Sequence, residues 1–211
     1  MKDLFVLTAD SDAEAAMRAI LVRHKDLGIR PIEADVQRFA GRDSGMVKEG
    51  PEIARAMIKK ADYMRLILVW DHDGSGWHAR DPQQAEAAIQ KRLDGITWAD
   101  RSAAIVAVPE IEEWIWHCQS SMAKHLGVTV SVLNEMTDQF AAKHQLSRGE
   151  HYRKCPKELF ESVLYLKERR RPLPSDFAAL AERASLKAWR GSGTFARLAD
   201  ILGVWFPLET K

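Results

Sequence analysis

Arg65-Leu66-Ile67-Leu68-Val69-Trp70-Asp71-His72-Asp73-Gly74-Ser75-Gly76 sets an unbroken apolar run against an acidic, glycine-containing exit. An apolar run of this length without polar alternation predicts a β-strand covered on both faces, as strands of a parallel sheet are. In an extended chain residues i and i+2 point to the same side, so Asp71 and Asp73 are expected to converge on one cation. Ligands of open α/β sheets bind outside the carboxyl ends of the strands, where these aspartates stand. Two carboxylates there repel each other without a counterion. The same Asp-Gly-Ser-Gly segment also reads as a plain turn after a strand. A calcium loop is rejected, because Pro82 occupies the position that needs a bidentate Glu and a strand, not a helix, precedes the segment.

Outward from this stretch, strand and helix signals alternate. Leu4-Phe5-Val6-Leu7-Thr8 predicts a first strand, and Ala13 to about Lys25 a helix closed by Gly28. Ile29 to Phe39 predicts a second strand, and Ala40-Gly41-Arg42-Asp43-Ser44-Gly45 a loop. Pro51 is expected in the first turn of a helix that runs to about Asp62. Beyond the central stretch follow a helix from Pro82 to Leu93, a strand from Ala103 to Val108 and a helix from Glu110 to about Leu126. This order predicts an α/β fold with a mainly parallel sheet covered by helices. After it the strand signals stop, and Ser131–Lys143, Pro156–Arg169, Pro174–Ala184 and Thr194–Leu202 all read as helices. The expected organisation is an α/β domain over residues 1–128 and a basic, helical C-terminal region over residues 129–211.

The chain has 211 residues, 46% of them hydrophobic and 29% charged, so it can bury a sizeable core without disulfides. Only two cysteines, Cys118 and Cys155, are present, which excludes a secreted disulfide scaffold and suggests a reducing compartment. No apolar run approaches the roughly 20 residues that span a bilayer. Met1–Leu7 is too short and too soon charged to read as a secretory leader. A cytoplasmic protein with no membrane partner is expected. Residues 1–120 carry 16 basic against 20 acidic side chains, and residues 121–211 carry 15 against 10. Such an asymmetry suits a metal site beside a polyanion-binding surface, and equally two chemically different halves.

Two more acidic groups lie where strands should end. Pro109-Glu110-Ile111-Glu112-Glu113-Trp114 opens a helix, whose dipole alone favours carboxylates in the first turn. If this strand lies beside the central one, Glu110 joins Asp71 and Asp73, while Glu112 points elsewhere on the helix. Asp10 and Asp12 follow the first strand and serve as helix caps or as further carboxylates at the same sheet edge. Oxygen donors without clustered Cys or His favour Mg²⁺ or Mn²⁺ over zinc. In the second half, residues 148–190 hold 11 basic against 6 acidic side chains, with Arg169, Arg170 and Arg171 in a row. That patch suits phosphate contacts, and as exposed charge its removal is expected to leave fold stability nearly unchanged.

Together these features resemble the TOPRIM domain of topoisomerases, primases and the OLD-type and RloB-like bacterial nucleases. The resemblance rests on the acidic turn after the first strand, Asp71-x-Asp73 after the central one, and the Pro109–Trp114 segment, similar to a PE-x-E-x-W stretch of RloB-like proteins. Ser185-Leu186, the helix around Phe195 and Trp205-Phe206-Pro207 look like the helical tail of small stand-alone members associated with phage defence. The resemblance implies a Mg²⁺-dependent nuclease acting on DNA or RNA, with protein partners in a bacterial defence system. It implies Asp71, Asp73, Glu110 and Glu112 as metal ligands, Asp10 as a catalytic carboxylate and Lys157 near the scissile phosphate. The family places a Glu at the end of the first strand, where this chain has Thr8-Ala9. That departure leaves a second reading, a non-catalytic TOPRIM-like module that binds a partner within a defence complex.

Overall fold

The computed structural model describes residues 1–58, 63–77, 80–147 and 149–208. Four strands, β1 (Lys2–Thr8), β2 (Ala34–Arg38), β3 (Tyr63–Asp71) and β4 (Ser102–Ala107), form one all-parallel sheet in the order β2-β1-β3-β4. Between β1 and β2 lie α1 (Ser11–Leu21) and α2 (His24–Leu27); α3 (Arg42–Ile58) joins β2 to β3, and α4 (Pro82–Leu93) joins β3 to β4. The remaining α-helices among the described residues are α5 (Glu112–Trp116), α6 (Gln119–His125), α7 (Val130–Lys143), α8 (His151–Lys154), α9 (Pro156–Glu168), α10 (Pro174–Arg183), α11 (Leu186–Trp189) and α12 (Gly193–Trp205). The α/β class and the helical second half are as the sequence predicts.

The unbroken apolar run of β3 is explained by a core on each side of the sheet. Ile67 and Val69 face one layer with Leu4, Val6, Ala103 and Ile105, packed against α1, α5, α9, α10 and α12. Leu66, Leu68 and Trp70 face the other with Phe5, Leu7, Ala104 and Val106, under α3 and α4. The first layer continues without a break from the sheet into the second half of the chain, through Trp114, Phe160, Phe177, Trp189, Phe195 and Phe206. Each fully buried Leu, Ile or Phe there contributes about 1.5–3 kcal/mol relative to exposure.

Local chemistry also sets the outer edge of β4. Gln90 and Glu86, one turn apart on α4, accept hydrogen bonds from the backbone N–H groups of Ala104 (3.0 Å) and Val106 (3.1 Å). Gln90 also donates to the Ser102 carbonyl at 3.3 Å. The four-residue period of a helix face here matches the two-residue period of a strand edge, and α4 supplies bonds that a fifth strand would make.

Three expectations need correction. The segment 42–45 is the first turn of α3, not loop, and Pro51 lies in the interior of that helix. A proline there removes an N–H and leaves the carbonyl of residue i−4 unpaired. The Val47 carbonyl is instead bonded by Arg92 of α4 at 2.5 Å, which lets the helix run through. The expected end of this helix, residues 59–62, lies outside the described residues, as does Arg148 of the basic segment. The expected helix from Glu110 to Leu126 is divided at His117-Cys118 into α5 and α6. The second strand is shorter than read, with Ile29 making only an isolated bridge to Pro207.

Candidate metal centre

The order of strands reverses between β1 and β3, and in parallel α/β sheets that switch point opens a crevice at the carboxyl ends. Three aspartates meet there. Asp10 follows β1 and caps α1, its Oδ1 accepting the backbone N–H groups of Asp12 (3.0 Å) and Ala13 (2.7 Å). Asp43 stands in the first turn of α3, and its Oδ1 accepts the Asp71 backbone N–H at 2.8 Å. Asp71 ends β3, only 6% exposed, and its Oδ1 accepts the Ile111 N–H at 2.9 Å. One oxygen of each carboxylate is thus tied to backbone, which fixes its direction. Each residue offers a carboxylate oxygen, and these oxygens lie within 4.8 Å of one another. Oxygen ligands sit about 2.0–2.6 Å from Mg²⁺ or Ca²⁺, so a separation of this size accommodates a shared ion.

Glu112 of α5 is 4% exposed, and among the described residues its Oε2 has no hydrogen-bond partner. A buried carboxylate oxygen without a donor is costly unless it is protonated or meets a cation. Burial, then the charges of Glu112, Asp10, Asp43 and Glu110, pushes the Asp71 carboxyl well above the usual range. Burial and then Glu110 lift Glu112 to about 8. Burial also raises Asp43, with Asp10 adding to it. Lys157 of α9 stands 3.4 Å from Glu110. Burial disfavours its charge, but Glu110 and Glu112 outweigh that and hold the ammonium protonated. The site is a group of carboxylates with the Lys157 ammonium held beside them.

The sequence-derived residues divide accordingly. Asp10 and Asp71 are in the cluster. Glu110, Glu112 and Lys157 border it, and the Glu112 charge acts on Asp71 although its helix spacing suggested a place elsewhere on the helix. Asp73 is not in the group: β3 ends at Asp71, and Asp73 opens a 3₁₀ turn with its side chain 56% exposed. The i, i+2 argument assumed an extended chain that stops one residue too soon. Asp43 was missed because its segment read as loop; the strand-end rule applied to β2 would have found it. His72 is bonded to the Arg80 carbonyl at 3.0 Å, and His117 to Glu113 at 2.5 Å, so both imidazoles are already engaged.

No family model, curated protein or solved structure matches this chain.

Of the three arginines expected at a nucleic-acid surface, Arg170 is committed elsewhere. Its guanidinium grips Asp176 of α10 with two bonds of 2.6 and 2.7 Å, and Asp176, its side chain 4% exposed, also bonds His125 at 2.9 Å. The expectation that these charges can be removed without effect on the fold fails for Arg170, because its loss strips a buried carboxylate of its partner. Arg169 caps α9 in a left-handed conformation (φ 57°), with its guanidinium 5.6 Å from the centre of the Tyr165 ring.

One of two cavities adjoins the site. A polar one of about 460 Å³ opens on Asp10 and Asp43 and is walled by Arg38, Phe39, Arg42 and Lys157. A larger one of about 740 Å³ lies between α4 and the start of α12, around the Glu86–Arg197 ion pair, and holds none of the triad. Chemistry, not volume, decides between them. Among the described residues no helix is long and apolar enough to cross a membrane.

Proposed function

We propose that this chain is a TOPRIM-like, Mg²⁺- or Mn²⁺-dependent phosphodiester hydrolase acting on nucleic acid. The observation that carries the reading is the convergence of Asp10, Asp43 and Asp71 at the switch point, backed by the unpartnered Glu112 oxygen. An all-oxygen donor set suits a hard divalent ion. When bound, such an ion supplies Lewis acidity toward a phosphoryl oxygen and lowers the pKa of water. Asp10, Asp43 and Asp71 hold it, and the backbone N–H bonds to each keep the three from drifting apart. Lys157, beside Glu110 and on the wall of the adjoining cavity, is placed to neutralise phosphate charge. Asp10 supplies, from the turn, the carboxylate that the TOPRIM resemblance expects at the end of the first strand. A role in bacterial phage defence, with protein partners, rests on that resemblance alone, and a cytoplasmic setting on the sparse cysteines.

Labelled single-stranded DNA, duplex DNA and RNA incubated with the purified protein, with Mg²⁺, Mn²⁺ or chelator, tests the reading. Cleavage should require the cation and fall at least about tenfold to 100-fold in Asp71→Asn or Asp43→Asn, the loss expected when a metal's support is removed. Cation binding without cleavage of any of the three would favour the non-catalytic binding module. Absence of cation binding at millimolar concentration would end the metal reading.

A further inference from the structure

The 460 Å³ cavity beside the triad has a composition that the metal site does not explain. Its walls carry three cations, Arg38, Arg42 and Lys157, against two carboxylates, Asp10 and Asp43. Both carboxylates belong to the candidate metal site. Lys157 is shared between the cavity and Glu110, but among the described residues neither the Arg38 nor the Arg42 side chain has a hydrogen bond or ion pair. Arg42 is also held at φ 53°, a left-handed conformation uncommon for a residue with a Cβ. Two helices, α1 and α3, begin at this wall and turn their positive ends toward it. The volume is that of sites which take small organic ligands, about 300–1,000 Å³, and is larger than a lone ion needs.

We infer that this cavity is a subsite for the phosphate group of a nucleotide, with Arg38, Arg42 and Lys157 as its cationic wall. The inference rests on the metal reading for its coupling to the cation but not for the anion site itself. Before an ion arrives, Asp10 and Asp43 oppose the three cations. Once a divalent ion occupies the aspartates, their charge is spent and the wall faces the cavity unopposed. Guanidinium groups suit such a site because their fork of donors matches a phosphate's oxygens. Cation and phosphate should therefore bind cooperatively, and by linkage each must strengthen the other equally. The β2–α3 turn, not the arginine row at the end of α9, is the principal phosphate contact of the substrate. The phosphate belongs either to a strand or to a free mononucleotide.

Calorimetric titration of inorganic phosphate into the protein, with and without Mg²⁺, tests this. Mg²⁺ should tighten phosphate about tenfold, within the usual 5–150-fold range of coupling. Arg38→Ala with Arg42→Ala should weaken phosphate about tenfold and leave the fold intact, because both side chains are exposed. Arg38→Lys with Arg42→Lys should recover part of the loss. Parallel titrations with a short oligonucleotide and a nucleoside monophosphate separate the sources: a larger arginine-dependent gain for the oligonucleotide identifies a strand, and equal gains identify a free nucleotide. Phosphate affinity unchanged by the double alanine variant overturns the subsite. If Mg²⁺ fails to bind but phosphate still depends on the two arginines, the metal reading fails and the anion site stands.

Discussion

Gly74 shows how a residue without a side chain can be essential to a metal site. A Cβ at that position would lie 2.4 Å from Asp43 Oδ2 and 3.1 Å from Asp43 Cβ. The 3₁₀ turn (Asp73–Ser75) passes directly over the carboxylate, and only hydrogen fits between. Gly74→Ala would push Asp43 off the Asp71 N–H and out of the triad. Mg²⁺ affinity should fall about 10–100-fold, the loss typical when a ligand's supporting contacts are removed. The melting temperature without cation should change far less, because the displaced group is a partly exposed side chain and not core. A calorimetric Mg²⁺ titration alongside a thermal melt checks both. Asp71 and Gly74 were legible together in the sequence as a strand exit. The partner that gives Gly74 its meaning, Asp43, lies 28 residues from Asp71 in the chain, and local spacing carries no information about such a contact.

Within α3, the passage of the helix through Pro51 depends on a neighbouring element. Arg92 reaches from α4 to the Val47 carbonyl at 2.5 Å and the Lys48 carbonyl at 2.6 Å, and pairs with Glu52 at 2.6 Å. Replacing Arg92 by Ala should destabilise the protein by about 1–3 kcal/mol, the cost of leaving a backbone acceptor unsatisfied. Pro51→Ala restores the N–H that Val47 lacks, so the Arg92→Ala loss should shrink in that background. Chemical denaturation of the two single variants and the double variant measures the coupling. Equal losses in both backgrounds would refute the account. The sequence placed Pro51 at a helix start because the local rule favours it there. A long-range arginine overrides that rule, and the same error turned the turn carrying Asp43 into loop. Pro82, by contrast, does open α4, where the run of Ala, Glu and Gln behind it placed a helix start.

Across the whole molecule, the raised carboxyls of the site make stability depend on pH in an unusual direction. Glu112 titrates near 4.5 when unfolded and is lifted to about 8 when folded, by burial and then Glu110. Burial likewise raises Asp71. A folded pKa above the unfolded one gives stability that is complete below the unfolded value and is lost as pH rises through the folded value. Without divalent cation, the melting temperature should therefore fall between about pH 5 and pH 8, and Glu112→Gln should flatten the decline. Mg²⁺ should raise the melting temperature more at pH 8 than at pH 6, because it relieves the charged form. A flat profile in chelator would refute this reading of the acidic cluster. The two-sided sheet was legible from the unbroken apolar run of β3, and its four strands from the apolar runs around it, yet the finish of its edge was not, because the bonds that complete β4 come from Gln90 and Glu86, distant in sequence. Those side chains have a consequence for self-association. A bare sheet edge is a template on which another copy can add a strand, the first step toward fibres. Along β4 the template is already occupied at Ala104 and Val106 by α4. Growth by edge pairing would have to start at β2, the other end of the sheet, where Asp35, Gln37 and Arg38 interrupt the apolar surface that stacked copies need.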